Sequence, residues 1–145
     1  MKKIAIIGYG WVGQAYHKVF PDAVIYDPFS PIEKIAQNSS KEGVNECDLA
    51  LVAVPTNLKE DKTLDVSIVE EVVDWLETPL ILIKSALQPG TVDRLVKKTG
   101  KKIAVSVEMV GEGKYFIPYW KYPHPENPLL HSFLIIGGED KTAKR

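Results

Sequence analysis

The chain has 145 residues, of which 45% are hydrophobic and 26% are charged, so its composition is that of one ordinary globular domain. Its 18 basic and 19 acidic residues give a net charge of −1. This balance argues against a partner held mainly by charge, such as duplex nucleic acid or an anionic membrane. The single cysteine, Cys47, excludes an internal disulfide and argues against a metal centre. Its apolar runs are too short to span a bilayer and its N-terminus lacks a signal-peptide pattern, so we expect a cytoplasmic protein.

Short apolar runs alternate with stretches of helical spacing along the chain. Strands are predicted at residues 3–7, 23–26, 49–54, 80–83, 103–107 and 133–136. Helices are predicted at 11–19, 32–36, 65–76, 89–98 and from 140 onward, with a loop at 37–46. Within the third helix, Ser67 and Glu70 have the spacing of a capping box. Buried strands separated by helices predict a doubly wound α/β domain, in which a parallel sheet lies between two helical layers.

A glycine-rich loop follows the first predicted strand and opens the first helix. Its sequence is Gly8-Tyr9-Gly10-Trp11-Val12-Gly13, which has the G-x-G-x-x-G spacing of a dinucleotide-binding loop. The first glycine permits the turn, the second lets a pyrophosphate approach, and the third allows close helix–strand packing. The loop therefore predicts a Rossmann-like nucleotide site, with FAD or another nucleotide as the alternative to NAD.

Asp27 lies 19 residues after Gly8, at the end of the second predicted strand. A carboxylate there accepts hydrogen bonds from the adenosine ribose and repels a 2′-phosphate. The alternative is a turn residue before Pro28. The ribose interpretation predicts a preference for NAD over NADP.

Several motifs, taken in order, resemble those of the UDP-glucose/GDP-mannose dehydrogenase family. The glycine loop resembles the family's G-x-G-Y-V-G. The later matches are Val54-Pro55-Thr56-Asn57 with V-P-T-P, Leu64-Asp65-Val66-Ser67 with L-D-L-S, Lys84-Ser85-Ala86-Leu87-Gln88-Pro89-Gly90-Thr91 with K-S-T-V-P-x-G-T, and Glu108-Met109-Val110-Gly111-Glu112-Gly113 with E-F-L-R-E-G. The resemblance implies that this chain is the NAD-binding domain of an enzyme that oxidises the C6 alcohol of a nucleotide sugar.

We expect each of these motifs at the carboxyl end of a strand, where open α/β sheets bind ligands. We expect Val54, Pro55 and Thr56 to reach the cofactor, although a proline that simply ends a strand is the alternative. Ser85 and Ala86 are expected near the nicotinamide ribose. The family has a threonine that contacts cofactor or a catalytic water where this chain has Ala86, so that hydroxyl is missing.

Glu108 and Glu112 follow the fifth predicted strand. Carboxylates at the mouth of an apolar cleft can act as proton acceptors. By resemblance, Glu108 would contact the cofactor or orient a water, and Glu112 would assist deprotonation of the alcohol. The alternative is two surface carboxylates, and the chain departs from the family at Val107 and Gly111, where the family has proline and arginine.

The family's catalytic cysteine lies in a G-G-x-C-x-P-K-D segment of a later domain, and this chain has no such segment. We therefore expect residues 1–145 to be a single dinucleotide-binding domain from a longer dehydrogenase, with a homodimer in the full-length protein. The aromatic and proline-rich residues 115–128 are interpreted as a covering loop, with a lid as the alternative. Two other functions stay open: a Rossmann domain of the 6-phosphogluconate or hydroxyacid dehydrogenase type, and a nucleotide-binding module without chemistry.

Overall fold

The computed structural model describes residues 2–29, 39–106, 128–130 and 134–144. The strands in these ranges are β1 (Ile4–Ile7), β2 (Val24–Tyr26), β3 (Leu49–Val52), β4 (Ile81–Ile83), β5 (Ile103–Ser106) and β6 (Ile136–Gly138). The helices are α1 (Trp11–Val19), α2 (Lys41–Asn45), α3 (Ser67–Trp75), α4 (Thr91–Thr99) and α5 (Asp140–Ala143), with a 3-10 turn at Pro128–Leu130. Within this described part, no helix is both long and apolar enough to cross a membrane.

The strands form one sheet in the order β2-β1-β3-β4-β5-β6. The first five pair in parallel, in agreement with the predicted doubly wound α/β fold. Only the edge strand among these six runs the other way, because β6 pairs antiparallel with β5, with Ser106 opposite Ile136. An antiparallel edge strand is common on such sheets, since an edge strand need not be covered on both faces.

The core lies on both faces of the sheet because successive strand residues point to opposite sides. On one face, Ile7, Val52 and Ile83 pack with buried residues of α2, α3 and α4. On the other face, Ile6 and Leu51 join a smaller cluster that Tyr16 of α1 covers. Both faces of the sheet are therefore covered, which explains why successive strand residues are apolar.

Helix α2 lies where the sequence predicted a loop. Ser40 is its N-cap, and its Oγ accepts a hydrogen bond from the Gly43 N–H at 3.3 Å. Val44 is its single fully buried residue, so the segment shows no apolar repeat that could have revealed the helix. The helix predicted at residues 32–36 lies outside the described residues.

Helix α3 begins differently from the predicted capping box. Its N-cap is Val66, and Ser67 is already the first helical residue. The cap is supplied from one position earlier, because Asp65 Oδ1 accepts a hydrogen bond from the Ser67 N–H at 3.0 Å. Glu70 instead pairs with Arg94 of α4. The predicted capping box is therefore wrong, because the helix already includes Ser67, which is not its N-cap.

Candidate cofactor-binding site

The site lies where the direction of strand addition reverses. Strand β1 lies between β2 and β3. The chain therefore adds β2 on one side of β1 and adds β3 on the opposite side. A ligand crevice forms at the carboxyl ends of the strands at such a point. A cavity of about 600 Å³ opens there, a size typical of small-molecule sites. Its lining includes Gly8, Tyr9, Gly10, Trp11, Gln14, Tyr26, Asp27, Pro28, Phe29, Lys41, Val54, Pro55, Ile68, Glu71, Val72 and Trp75.

The three glycines of the loop occupy three different environments. Gly8 has φ +90°, and a Cβ there would lie 2.4 Å from the Ala53 carbonyl oxygen. A Cβ on Gly13 would lie 2.0 Å from the Gly8 carbonyl oxygen. A Cβ on Gly10 would meet no atom within 4 Å, and this residue lines the cavity. Gly8 and Gly13 are therefore required by packing, whereas Gly10 leaves space for a ligand.

The start of α1 provides the electrostatic part of the site. Gly10 is the N-cap, it has no side-chain capping bond, and the first turn of the helix contains no acidic residue. The first backbone N–H groups of a helix have no partner within the helix, and they favour an anion through the helix dipole. Together with the space at Gly10, this arrangement fits the pyrophosphate of a dinucleotide such as NAD.

Asp27 lines the cavity directly after β2. Its Oδ2 accepts a hydrogen bond from the Tyr9 N–H at 2.7 Å, and its Oδ1 accepts one from the Phe29 N–H at 2.9 Å. The second bond closes the turn at Pro28, so Asp27 is a turn residue as well as a cavity residue. An ionised carboxylate can accept several hydrogen bonds at once, so this structural role is compatible with accepting from a ribose hydroxyl.

Val54 and Pro55 bring the end of β3 to the same cavity, while Thr56 lies outside its lining. Ser85 holds Val54 in place, because its Oγ donates to the Val54 carbonyl at 2.7 Å and accepts from the Val54 N–H at 3.0 Å. Ala86 is exposed just beyond. The direct contacts of Thr56, Ser85 and Ala86 with a cofactor stay predictions, as does that of Val12 in α1.

Lys84, the first residue of the Ser85 motif, is 2% exposed. Its Nζ donates a hydrogen bond to Ser106 Oγ at 2.9 Å and lies 4.9 Å from the centroid of the Tyr16 ring. An ammonium group held over an aromatic ring is attracted by the negative face of that ring. Lys84 therefore links the ends of β4 and β5 to the helix that follows the glycine loop.

Both predicted proton acceptors, Glu108 and Glu112, lie outside the described residues, as does most of the segment 115–128. Their roles stay predictions. Among the residues that the structure describes, no three His, Cys, Asp or Glu side chains come close enough together to hold a metal ion.

The cavity wall beyond Asp27 was not predicted from the sequence. Ile68, Val72 and Trp75 lie along one side of α3 and line this wall, and Tyr26 packs edge-on against Trp75 with ring centroids 5.4 Å apart. Lys41 completes the wall, with its Nζ 5.0 Å from the centroid of the Trp75 ring. The spacing of Ile68, Val72 and Trp75, four and then three residues apart, could have predicted this wall, because residues so spaced share one face of a helix. Lys41 carried no sequence signal.

Solved dehydrogenase structures share this fold. A GDP-mannose dehydrogenase from Pseudomonas aeruginosa matches with a TM-score of 0.59 and 19% identity, over 76% of this chain and 37% of that one. A UDP-glucose dehydrogenase from Pyrobaculum islandicum matches with a TM-score of 0.54 and 22% identity, over 73% of this chain and 35% of that one. A prephenate dehydrogenase from A. aeolicus, in complex with NAD+, matches with a TM-score of 0.63 and 18% identity, over 99% of this chain and 53% of that one.

The chain spans little more than a third of the length of the first two enzymes. No curated protein matches its sequence significantly. The family model described as the NAD binding domain of the UDP-glucose/GDP-mannose dehydrogenase family matches residues 33–115, which is more than half of the chain. With a glycine loop and a crevice of about 600 Å³ where the strand order of its sheet reverses, the chain belongs to the UDP-glucose/GDP-mannose dehydrogenase family and carries its NAD-binding domain.

Proposed function

We propose that residues 1–145 form the cofactor-binding domain of an oxidoreductase that transfers a hydride from the C6 alcohol of a nucleotide sugar to NAD. The family match over residues 33–115 carries the proposal, and the crevice at the glycine loop supports it. When bound, NAD supplies the hydride acceptor. The nucleotide-sugar substrate and a homodimeric full-length protein belong to the same proposal.

In this proposal the described residues bind and orient the cofactor. The loop at Gly10 and the N–H groups at the start of α1 bind the pyrophosphate. Asp27 accepts from the adenosine ribose, and the wall formed by Ile68 and Trp75 contacts the adenine. These contacts leave the nicotinamide near the ends of β3 and β4, where Ser85 holds the backbone of Val54.

The proton chemistry is assigned to Glu108 and Glu112, which follow β5 in the chain. Oxidation of an alcohol releases a proton as well as a hydride, so a carboxylate within hydrogen-bonding distance of the hydroxyl assists the step. Glu112 is proposed as that acceptor, and Glu108 as the residue that contacts cofactor or orients a water. Because Ala86 has no hydroxyl, it contributes none to this chemistry.

We further propose that the 145 residues bind cofactor without turning over a nucleotide sugar. Cys47 is 3% exposed, and loss of solvation raises the pKa of its thiol, so it is not placed to capture an aldehyde for a second oxidation. The sugar would also lack its own half of the cleft, and correct orientation of reactants is worth about 7–11 kcal/mol.

The test is to mix the purified chain with NAD and a panel of UDP- and GDP-sugars and to follow NADH absorbance. We expect saturable NADH binding and no steady turnover. Turnover at an ordinary enzymatic rate that Glu112→Gln abolishes would show that the chain is a complete enzyme.

A second experiment addresses the substrate class. The gene should be read beyond the codon for Arg145. A downstream G-G-x-C-x-P-K-D segment would support nucleotide-sugar oxidation. A long helical domain with a catalytic lysine would instead indicate a 6-phosphogluconate or hydroxyacid dehydrogenase.

A further inference from the structure

The side chain of Tyr9, in the middle of the glycine loop, reaches the far end of α1. Its hydroxyl lies 2.7 Å from Nδ1 of His17, which belongs to the last turn of that helix. The two rings also pack edge-on, with centroids 5.5 Å apart and planes inclined at 64°. The glycine loop is therefore joined to the helix through a side-chain contact as well as through the chain.

The hydrogen bonds of His17 have a defined direction. Its Nε2 lies 3.1 Å from the Pro21 carbonyl oxygen, which can only accept, so Nε2 carries the proton. In the neutral ring Nδ1 is then an acceptor, and the Tyr9 hydroxyl must donate to it. In this tautomer His17 accepts one hydrogen bond from Tyr9 and donates one to Pro21.

The backbone groups of Tyr9 are also engaged. Its N–H donates to Asp27 Oδ2 at 2.7 Å, and its carbonyl accepts from Gln14 Nε2 at 3.0 Å. Every polar group of this residue is therefore bonded to a neighbouring element. The next residue is Gly10, the N-cap of α1 that lines the cavity, so the conformation of Tyr9 sets the position of the first N–H groups of the helix.

We propose that Tyr9 and His17 are positioning residues that hold the glycine loop in the conformation that binds the cofactor pyrophosphate. This inference rests on the cofactor position proposed above. A loop that is already ordered loses less entropy on binding than one that must first close. Losing the side-chain bond lets the loop occupy other conformations, and the apparent affinity falls with the fraction that remains competent.

Two substitutions at His17 separate the two hydrogen bonds. His17→Asn places an acceptor oxygen near the Nδ1 position and loses the hydrogen bond to the Pro21 carbonyl. His17→Gln places an amide near the Nε2 position and loses the hydrogen bond with the Tyr9 hydroxyl. Each variant loses one hydrogen bond, so their losses of stability should be similar. Tyr9→Phe removes the same bond as His17→Gln while keeping the ring contact.

The measurement is the NADH dissociation constant of each variant from tryptophan fluorescence, with the urea unfolding midpoint measured in parallel. Tyr9→Phe and His17→Gln should weaken NADH binding about three- to tenfold, the effect of one hydrogen bond, while His17→Asn should bind like the wild type. Wild-type affinity in Tyr9→Phe and His17→Gln would overturn the inference. So would an equal loss in His17→Asn, because that result reports stability alone.

Gly10→Ala separates this inference from the cofactor position on which it rests. If the wild type does not bind NADH, or if Gly10→Ala leaves binding unchanged, both the proposed position and the role of Tyr9 and His17 are wrong. If Gly10→Ala abolishes binding while Tyr9→Phe does not weaken it, only the role of Tyr9 and His17 is wrong.

Discussion

The backbone N–H of Tyr9 donates a 2.7 Å hydrogen bond to Oδ2 of Asp27, a residue 18 positions away. This bond joins the loop after β1 to the end of β2, two strands that are neighbours in the sheet. The two interpretations of Asp27, as a turn residue and as a ribose acceptor, therefore do not compete. One carboxylate closes a turn, supports the glycine loop and faces the cavity.

Substitution of Asp27 should separate its charge from its hydrogen bonds. Two unit charges about 4 Å apart repel by about 1–4 kcal/mol between bulk water and a partly buried surface, so the wild type should prefer NADH to NADPH by about tenfold or more. Asp27→Asn removes the charge and keeps one acceptor oxygen, and so one of the two backbone hydrogen bonds, and it should lose most of this preference. Asp27→Ala loses both backbone bonds and should bind both cofactors weakly. Fluorescence titrations measure all six dissociation constants, and equal affinity of the wild type for NADH and NADPH would remove Asp27 from this role.

Alanine substitutions at Gly10 and Gly13 should affect different properties, NADH binding in the first case and stability of the fold in the second. Gly10→Ala should fold with almost wild-type stability, since its Cβ meets no protein atom, but it should lose NADH binding because the methyl group occupies the pyrophosphate space. Gly13→Ala should destabilise the fold by about 1–3 kcal/mol, the usual cost of overpacking, because its Cβ would lie 2.0 Å from the Gly8 carbonyl oxygen.

Urea unfolding and NADH titration on the same preparations measure both effects. A Gly13→Ala variant as stable as the wild type would contradict the packing argument. A stable Gly10→Ala variant that binds NADH normally would contradict the pyrophosphate position.

Cys47 should be unreactive in the native protein. Burial raises the pKa of its thiol, and its Sγ donates to the Gly43 carbonyl at 3.6 Å. Both effects reduce the thiolate fraction at neutral pH. A disulfide reagent should modify it at least about a hundredfold more slowly than in denaturant, because reaction requires local opening. A native rate close to that of a free thiol would show that the site is open.

The contribution of Asp65 to stability should depend on pH. Hydrogen bonds from the Ser67 side chain and backbone N–H lower its pKa from the ordinary value of 3.8. A carboxyl group with a lowered folded-state pKa stabilises the fold above its unfolded-state pKa and loses this effect as the pH falls through the folded value. Asp65→Ala should therefore melt below the wild type at neutral pH, and the difference should vanish in strong acid.

Asp65→Asn provides the control for this titration. It keeps an acceptor oxygen for the start of α3 and does not ionise in this range. Its melting difference from Asp65→Ala should not change with pH. A wild-type difference that also stays constant down to strong acid would show that the ionised Asp65 carboxylate does not cap α3.

The elements that the sequence located correctly are those whose signal lies in neighbouring residues. Helix α1 begins at Trp11 and ends at Val19, as predicted, because the glycine loop before it and Pro21 after it are local signals. Predictions were wrong where neighbouring residues could serve the same structural role. The α3 start is one example, because both Asp65 and Ser67 are good caps.

By itself, the sequence determined the fold class, the glycine loop and the family, because apolar runs and motif order are properties of the chain. The tertiary structure alone decided the direction of β6, the wall at Lys41 and Trp75, and the contacts of Tyr9 with His17 and Asp27. These features depend on where segments far apart in the chain come to lie after the sheet has formed. The spacing of residues along the chain carries no record of such a distance.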